Sequence, residues 1–135
     1  MKAFKLFLIS SITLLALQSA IEVALKYYQE NTLANHPNAL EQLILEANSG
    51  NNSAAFLLAT AYKNGKLGNV NVDRAYYWYE VCASNDDADA MLMLGWLNYK
   101  GTPKYGIRLN AAKKWFQKAS RAGVVEASEM LELLR

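Results

Sequence analysis

Ala90-Met91-Leu92-Met93-Leu94-Gly95, followed by Gly101 and then by Ala112-Lys113-Lys114-Trp115-Phe116-Gln117-Lys118-Ala119, is the stretch whose reading decides the fold. An earlier copy precedes it: Ala54, Leu58 and Gly65 stand 36 residues before Ala90, Leu94 and Gly101. Further on, Ala75, Trp78, Tyr79 and Ala83 stand 37 residues before Ala112, Trp115, Phe116 and Ser120, so the second copy holds one extra loop residue. A period of this length is the mark of a repeat architecture.

Inside each copy the apolar residues recur at helical spacing. Ala75, Trp78, Tyr79, Cys82 and Ala112, Trp115, Phe116, Ala119 follow i, i+3, i+4, i+7, one buried stripe on a helix. In Leu58-Ala59 and Leu94-Gly95 a small residue beside the leucine lets a neighbouring backbone come close. Each copy therefore reads as two antiparallel helices, an Ala/Gly seam facing an aromatic wedge of Trp78, Tyr79, Trp115 and Phe116. So short a pair cannot cover its own apolar face, and neighbouring pairs must stack. The expected class is all-α, a short α-solenoid of helical hairpins.

These linked positions, over about residues 50–127, resemble the Sel-one-like repeat, a relative of the tetratricopeptide repeat. The first copy departs from the pattern at Ala59, Cys82 and Asp86, where Gly, Ala and a closing Gly are usual; in the second, Asn98 takes the place of the usual Tyr. The resemblance implies a scaffold for protein contacts without common catalytic activity, with the first helix of each unit on the concave side. It divides the chain into an N-terminal helix with a degenerate half-repeat (21–49), unit one (50–86), unit two (87–123) and a capping helix (124–135). Many secreted relatives staple each hairpin with a disulfide; the lone Cys82 here leaves stability to packing.

The 135 residues suit one domain, and the apolar share of 53% against 19% charged suits a helical core once the N-terminus is set apart. Residues 1–20 place Lys2 and Lys5 before an apolar run from Leu6 to Leu17 and end in Gln18-Ser19-Ala20, the order of a secretory signal. Its apolar run is short for a membrane span and is broken by Ser10, Ser11 and Thr13. Cleavage after Ala20 and a periplasmic or secreted location are expected; an uncleaved anchor is the alternative and the one route to a membrane. Of 14 basic residues, removal of Lys2 and Lys5 leaves 12 against 12 acidic ones, a balance that argues against nucleic acid as a partner. Cys82, on the buried stripe, reads as a small hydrophobe in an alanine slot rather than a nucleophile or an intermolecular bridge.

Along the chain, a helix is expected from Ile21 to about Asn31, then a turn at Asn35-His36-Pro37-Asn38 with Pro37 opening the next helix. Ala39, Leu43, Ala47 and Gly50 stand 36 residues before Ala75, Tyr79, Ala83 and Asp86, hence the half-repeat. Expected caps are Asn52 or Ser53, Asn71 or Asp73, and Asn110. Asp86, Asp87 and Asp89 read as a helix start, where acidic groups meet free N–H groups, rather than as a calcium loop, which needs a later Gly and Glu. Val125 to Leu134 reads as the last helix, with Met130, Leu131 and Leu134 turned inward.

Nothing in the sequence assembles a catalytic motif: the single histidine, His36, lies in a turn, and no phosphate loop, histidine pair or serine elbow is present. No enzyme activity, metal or cofactor is expected. Seven basic residues (Lys100, Lys104, Arg108, Lys113, Lys114, Lys118 and Arg121) run without an acidic one; they read as a solvated face or as a site for an acidic partner. Aromatic and thioether residues beyond the repeat's needs define the candidate partner-binding set: Met93, Trp96, Leu97 and Lys100, with Tyr76 and Tyr77. The leading expectation is an exported, monomeric adaptor that binds another protein, one version being an immunity or inhibitor protein against a toxin or cell-envelope enzyme. The alternatives are a module for a small ligand, a cell-wall fragment or an anion, and an enzyme with an unrecognised site.

Overall fold

The computed structural model describes residues 20–135. The proposed signal falls, apart from Ala20, outside the described residues. A first helix, α1, runs over 20–29; a short 3-10 turn at Leu33–Asn35 leads into α2 (Pro37–Asn48), α3 (Asn52–Lys63), α4 (Val72–Ser84), α5 (Ala88–Lys100), α6 (Leu109–Arg121) and α7 (Val125–Leu133). From α2 onward each helix packs against the next in chain order, most closely within the hairpins α3/α4 and α5/α6. The result is an α-solenoid, with no strand among the described residues.

The repeat is written in the backbone as well as in the side chains. The N–H groups of Asn51, Asp87 and Val124 bond to the carbonyls of Glu46, Cys82 and Ala119 at 3.0, 3.2 and 3.0 Å. Each of these closing bonds spans a residue of positive φ: Gly50 (97°), Asp86 (61°) and Gly123 (95°). This is the left-handed turn that satisfies the orphan carbonyls at a helix end. It ends α2, α4 and α6 alike, so α2 behaves as the second helix of a unit. Asp86 takes the place that glycine holds in the other two.

The loop within each unit is pinned by a second repeated bond, from Asn71 N–H to Tyr62 O at 2.9 Å and from Arg108 N–H to Asn98 O at 2.8 Å. Tyr62 and Asn98 lie 36 apart, Asn71 and Arg108 37 apart, which places the extra residue inside the second loop.

Burial follows the period too: Leu43, Tyr79 and Phe116, one per second helix, are all fully buried, as are Ala54, Ala90 and Ala127, one per first helix. Gly95 is required by contact, because a Cβ there would lie 2.5 Å from the Phe116 ring. Two expectations are corrected. Trp115 is only half-buried, and Phe116 alone fills the wedge of unit two. The caps are Asn51, whose side chain accepts from Ala54 N–H at 3.2 Å, Asn71, accepting from Arg74 N–H at 3.0 Å, and Asp87, accepting from Ala90 N–H at 2.9 Å. Asn52 already lies in the first turn of α3, and Asn110 in that of α6, whose start has no side-chain cap.

Candidate functional site

The six residues expected to bind a partner do not form one patch. Trp96 lies half-buried on α5, its ring edge-on to Phe116 (centroids 5.7 Å, 84°) and to Tyr99 (5.7 Å, 80°), and its indole N–H donates to Glu126 Oε1 on α7 at 2.8 Å. Lys100, one turn on, is exposed with its Nζ 5.4 Å from the Trp96 ring centroid, a cation–π contact. Met93, one turn back, is half-buried against the unit-one core. These three share an edge of α5. Trp96 is covered by α6 and α7, through Phe116 and Glu126.

The other three are placed differently. Leu97 is buried, because it continues the seam of Ala90 and Leu94. Tyr76 is buried too, and its hydroxyl accepts from Asn98 Nδ2 at 3.1 Å and from an Arg108 terminal nitrogen at 3.0 Å. Arg108 Nε donates in turn to Asn98 Oδ1 at 2.9 Å, and its guanidinium lies 4.1 Å from the Tyr105 ring centroid. Tyr77 is exposed on α4, its ring edge-on to Trp78.

The Tyr76–Asn98–Arg108 network is the feature that sequence reading missed. Its signal was Asn98, a polar residue in a seam slot that tyrosine usually fills, since a buried amide needs partners. The network also breaks up the run of basic residues, for Arg108 is spent on structure and Lys118 lies over the Trp115 ring at 4.4 Å.

The edge shared by Met93, Trp96 and Lys100 has a counterpart on unit one. Leu57 and Thr60 stand 36 residues before Met93 and Trp96, and with Phe56 they line a hollow of about 380 Å³ between α3 and the start of α5. Asn52, Asp87 and Asp89 form its rim, and Asn52 Nδ2 donates to Asp87 Oδ2 at 2.6 Å. Asp87 thus serves two helices, and Asp89 adds its charge to the first turn of α5. The first-helix face is a half-buried apolar strip of Phe56, Leu57, Met93 and Trp96, edged by Asp89, Lys100 and Glu126.

Groups with chemical potential are muted. Cys82 is fully buried, its thiol donating to Asn52 O at 3.7 Å; burial, and then the charge of Asp87, push its pKa up to about 11. The His36 ring stacks on Tyr27 at 3.6 Å between centroids, which fixes the turn before α2. No helix among the described residues is long and apolar enough to cross a membrane.

Two stacked hairpins, closed by repeated turns and each carrying half-buried apolar residues on its first helix, define a helical-repeat scaffold. The family model for the Sel1 repeat matches residues 52–87 and 88–124, and the chain belongs to the Sel1 repeat family. Among solved structures it is similar to the Sel1 repeat protein from Oxalobacter formigenes, at 21% identity and a TM-score of 0.69. The match covers 87% of this chain and 48% of that one, so this chain spans about half the length of that protein; the likeness carries the fold. No curated protein matches. Sel1 repeats generally mediate protein–protein interaction and are generally non-catalytic scaffolds.

Proposed function

We propose that this protein is an exported, non-enzymatic adaptor that binds another protein through the first-helix face of its solenoid. The observation that supports this reading is the strip of Phe56, Leu57, Met93 and Trp96, which neither core absorbs fully and which Asp89, Lys100 and Glu126 edge with charge. An apolar centre with a charged rim is the composition of an interaction site. Export rests on the order of residues in 1–20, and within an envelope compartment the partner class is a toxin or cell-envelope enzyme that the protein holds inactive, as an immunity or inhibitor protein does. The protein acts as a monomer.

The test is affinity capture from envelope extract with the exported chain, followed by identification of the co-purifying protein. Asp89→Arg with Lys100→Glu, both at exposed positions at the two ends of α5, should abolish capture while the chain stays folded, the melting temperature falling only by the small amount that two reversed helix-end charges cost. Capture that survives this double change removes the first-helix face as the site. Export is read separately: the chain should leave the cytoplasm shortened by roughly two kilodaltons. Retention at full length in the cytoplasm refutes that part, and retention in the inner membrane favours the anchor.

A further inference from the structure

A second hollow, of about 720 Å³, lies on the other side of the hairpins, between the end of α4, the start of α5 and the end of α6. Its apolar part is Met91 and the half-buried ring of Trp115. Its walls carry opposite charge, Glu80 and Asp86 on the α4 side, Lys118 and Arg121 on the α6 side. All four are exposed and none is paired across the trough; among the described residues the single ion pair is Arg135–Glu132.

Two unpaired walls of opposite sign select what lies between them. A free anion is repelled by Glu80 and Asp86, a free cation by Lys118 and Arg121, and complementary fields reward a ligand with both signs on opposite edges. An amphipathic helix with an apolar stripe, a basic flank and an acidic flank meets that demand along its whole length. We infer that the α4/α6 trough is a second docking surface, independent of the first-helix face, and that its occupant is an amphipathic helix of a partner protein. The apolar stripe rests on Met91 and on Trp115 as Lys118, whose Nζ lies 4.4 Å from that ring's centroid, turns to the acidic flank beside Arg121; the basic flank faces Glu80 and Asp86.

The probes are three fluorescein-labelled, tryptophan-free helical peptides with one leucine stripe, flanked by Lys and Glu, by Lys on both sides, or by Glu on both sides. Titrated by anisotropy against the full chain at low salt, the mixed peptide should bind at least about tenfold more tightly than either other, a factor equal to roughly 1.4 kcal/mol. Glu80→Lys with Asp86→Asn should move the preference to the all-Glu peptide; asparagine is chosen because it tolerates the positive φ of residue 86. Lys118→Glu with Arg121→Glu should move it to the all-Lys peptide. Circular dichroism checks that both variants keep their helix content, and Asp89→Arg with Lys100→Glu should leave peptide binding unchanged. Equal binding of the three peptides, or a preference that neither wall reversal moves, overturns the inference. Self-association of the wild-type chain that excludes the mixed peptide, and that both wall variants lose in sedimentation, makes the occupant a second copy and overturns it equally.

Discussion

At the scale of single residues, the sharpest constraint is the meeting of Gly95 with Phe116. Alanine in place of glycine inside a helix gains up to about 1 kcal/mol of propensity. Here the added Cβ lies 2.5 Å from two atoms of a fully buried ring, which has no room to swing away. Overpacking of that kind costs about 1 to 3 kcal/mol, so Gly95→Ala should be neutral to destabilising and Gly95→Leu more severe, as read by urea unfolding. A stabilised Gly95→Ala variant would place the hairpin seam elsewhere. Phe116→Ala should cost about 3 to 5 kcal/mol as a large core truncation. Trp115→Ala should cost clearly less, because its ring is half in solvent already.

Cys82 supplies a pH test at the same scale. Its ordinary pKa of 9.0 is raised to about 11 in the fold, so the folded chain holds the thiol proton through a range where the unfolded chain releases it. The stability tied to the neutral thiol is whole below pH 9 and is lost as pH rises toward 11. Between those limits the melting temperature of the native chain should fall more than that of Cys82→Ala. Parallel curves for the two would show that the thiol is not desolvated. By the same reasoning the native thiol should resist alkylation at neutral pH until the chain unfolds.

At the scale of elements, the helix ends are where local chemistry and tertiary context trade places. Asp86 holds the left-handed position that Gly50 and Gly123 hold in the equivalent turns, and although Asp and Asn tolerate that conformation better than other side chains, glycine adopts it at lower cost. Asp86→Gly should therefore stabilise unit one by roughly 0.5 to 1 kcal/mol in thermal or urea melts. A loss of stability would mean that the Asp86 carboxylate does more at the start of α5 than its geometry suggests. Asp87 is the more costly residue to remove, since it caps α5 and also accepts from Asn52 of α3. These positions were partly legible in the sequence. The run Asp86, Asp87 and Asp89 announced a helix start, but only the backbone assigns the turn to the first and the cap to the second. Asn51 escaped notice because three consecutive polar residues, Asn51, Asn52 and Ser53, are equally able caps. The closing bond back to Glu46 is what sets Asn51 in the capping position.

At the scale of the whole molecule, stability runs along the stack, each helix answering to its chain neighbours. The core divides accordingly: one cluster joins the residues from α1 to α5, and a smaller one joins α6 to α7. Trp96 belongs with the second, through Phe116 and through its hydrogen bond to Glu126. Trp96→Ala should therefore loosen α7 as well as remove contact area, with faster amide exchange over Val125–Leu133 and little change in α3 and α4. Uniform exchange across all helices would show a chain that opens as one unit. This double duty is why Trp96 alone is a poor reporter of partner binding, and why the exposed pair Asp89 and Lys100 makes the cleaner test.

The period, the helical stripes and the small residue at Gly95 are local facts, and by themselves they determined the class of fold, the hairpin units and the burial of Cys82. They do so because a side chain's place on a helix depends on its spacing along the chain, and a repeat multiplies that signal. What only the tertiary structure decided is which surplus residues are surface. Tyr76, Leu97 and Trp96 carry similar local signals, yet one is tied to Asn98 and Arg108, one continues the seam, and one bridges to α7. Their partners lie in other helices and in the second loop, up to 32 residues away, and no local spacing encodes a hydrogen bond of that reach. The same holds for the trough between α4 and α6, whose opposed walls become neighbours only when one unit stacks on the next.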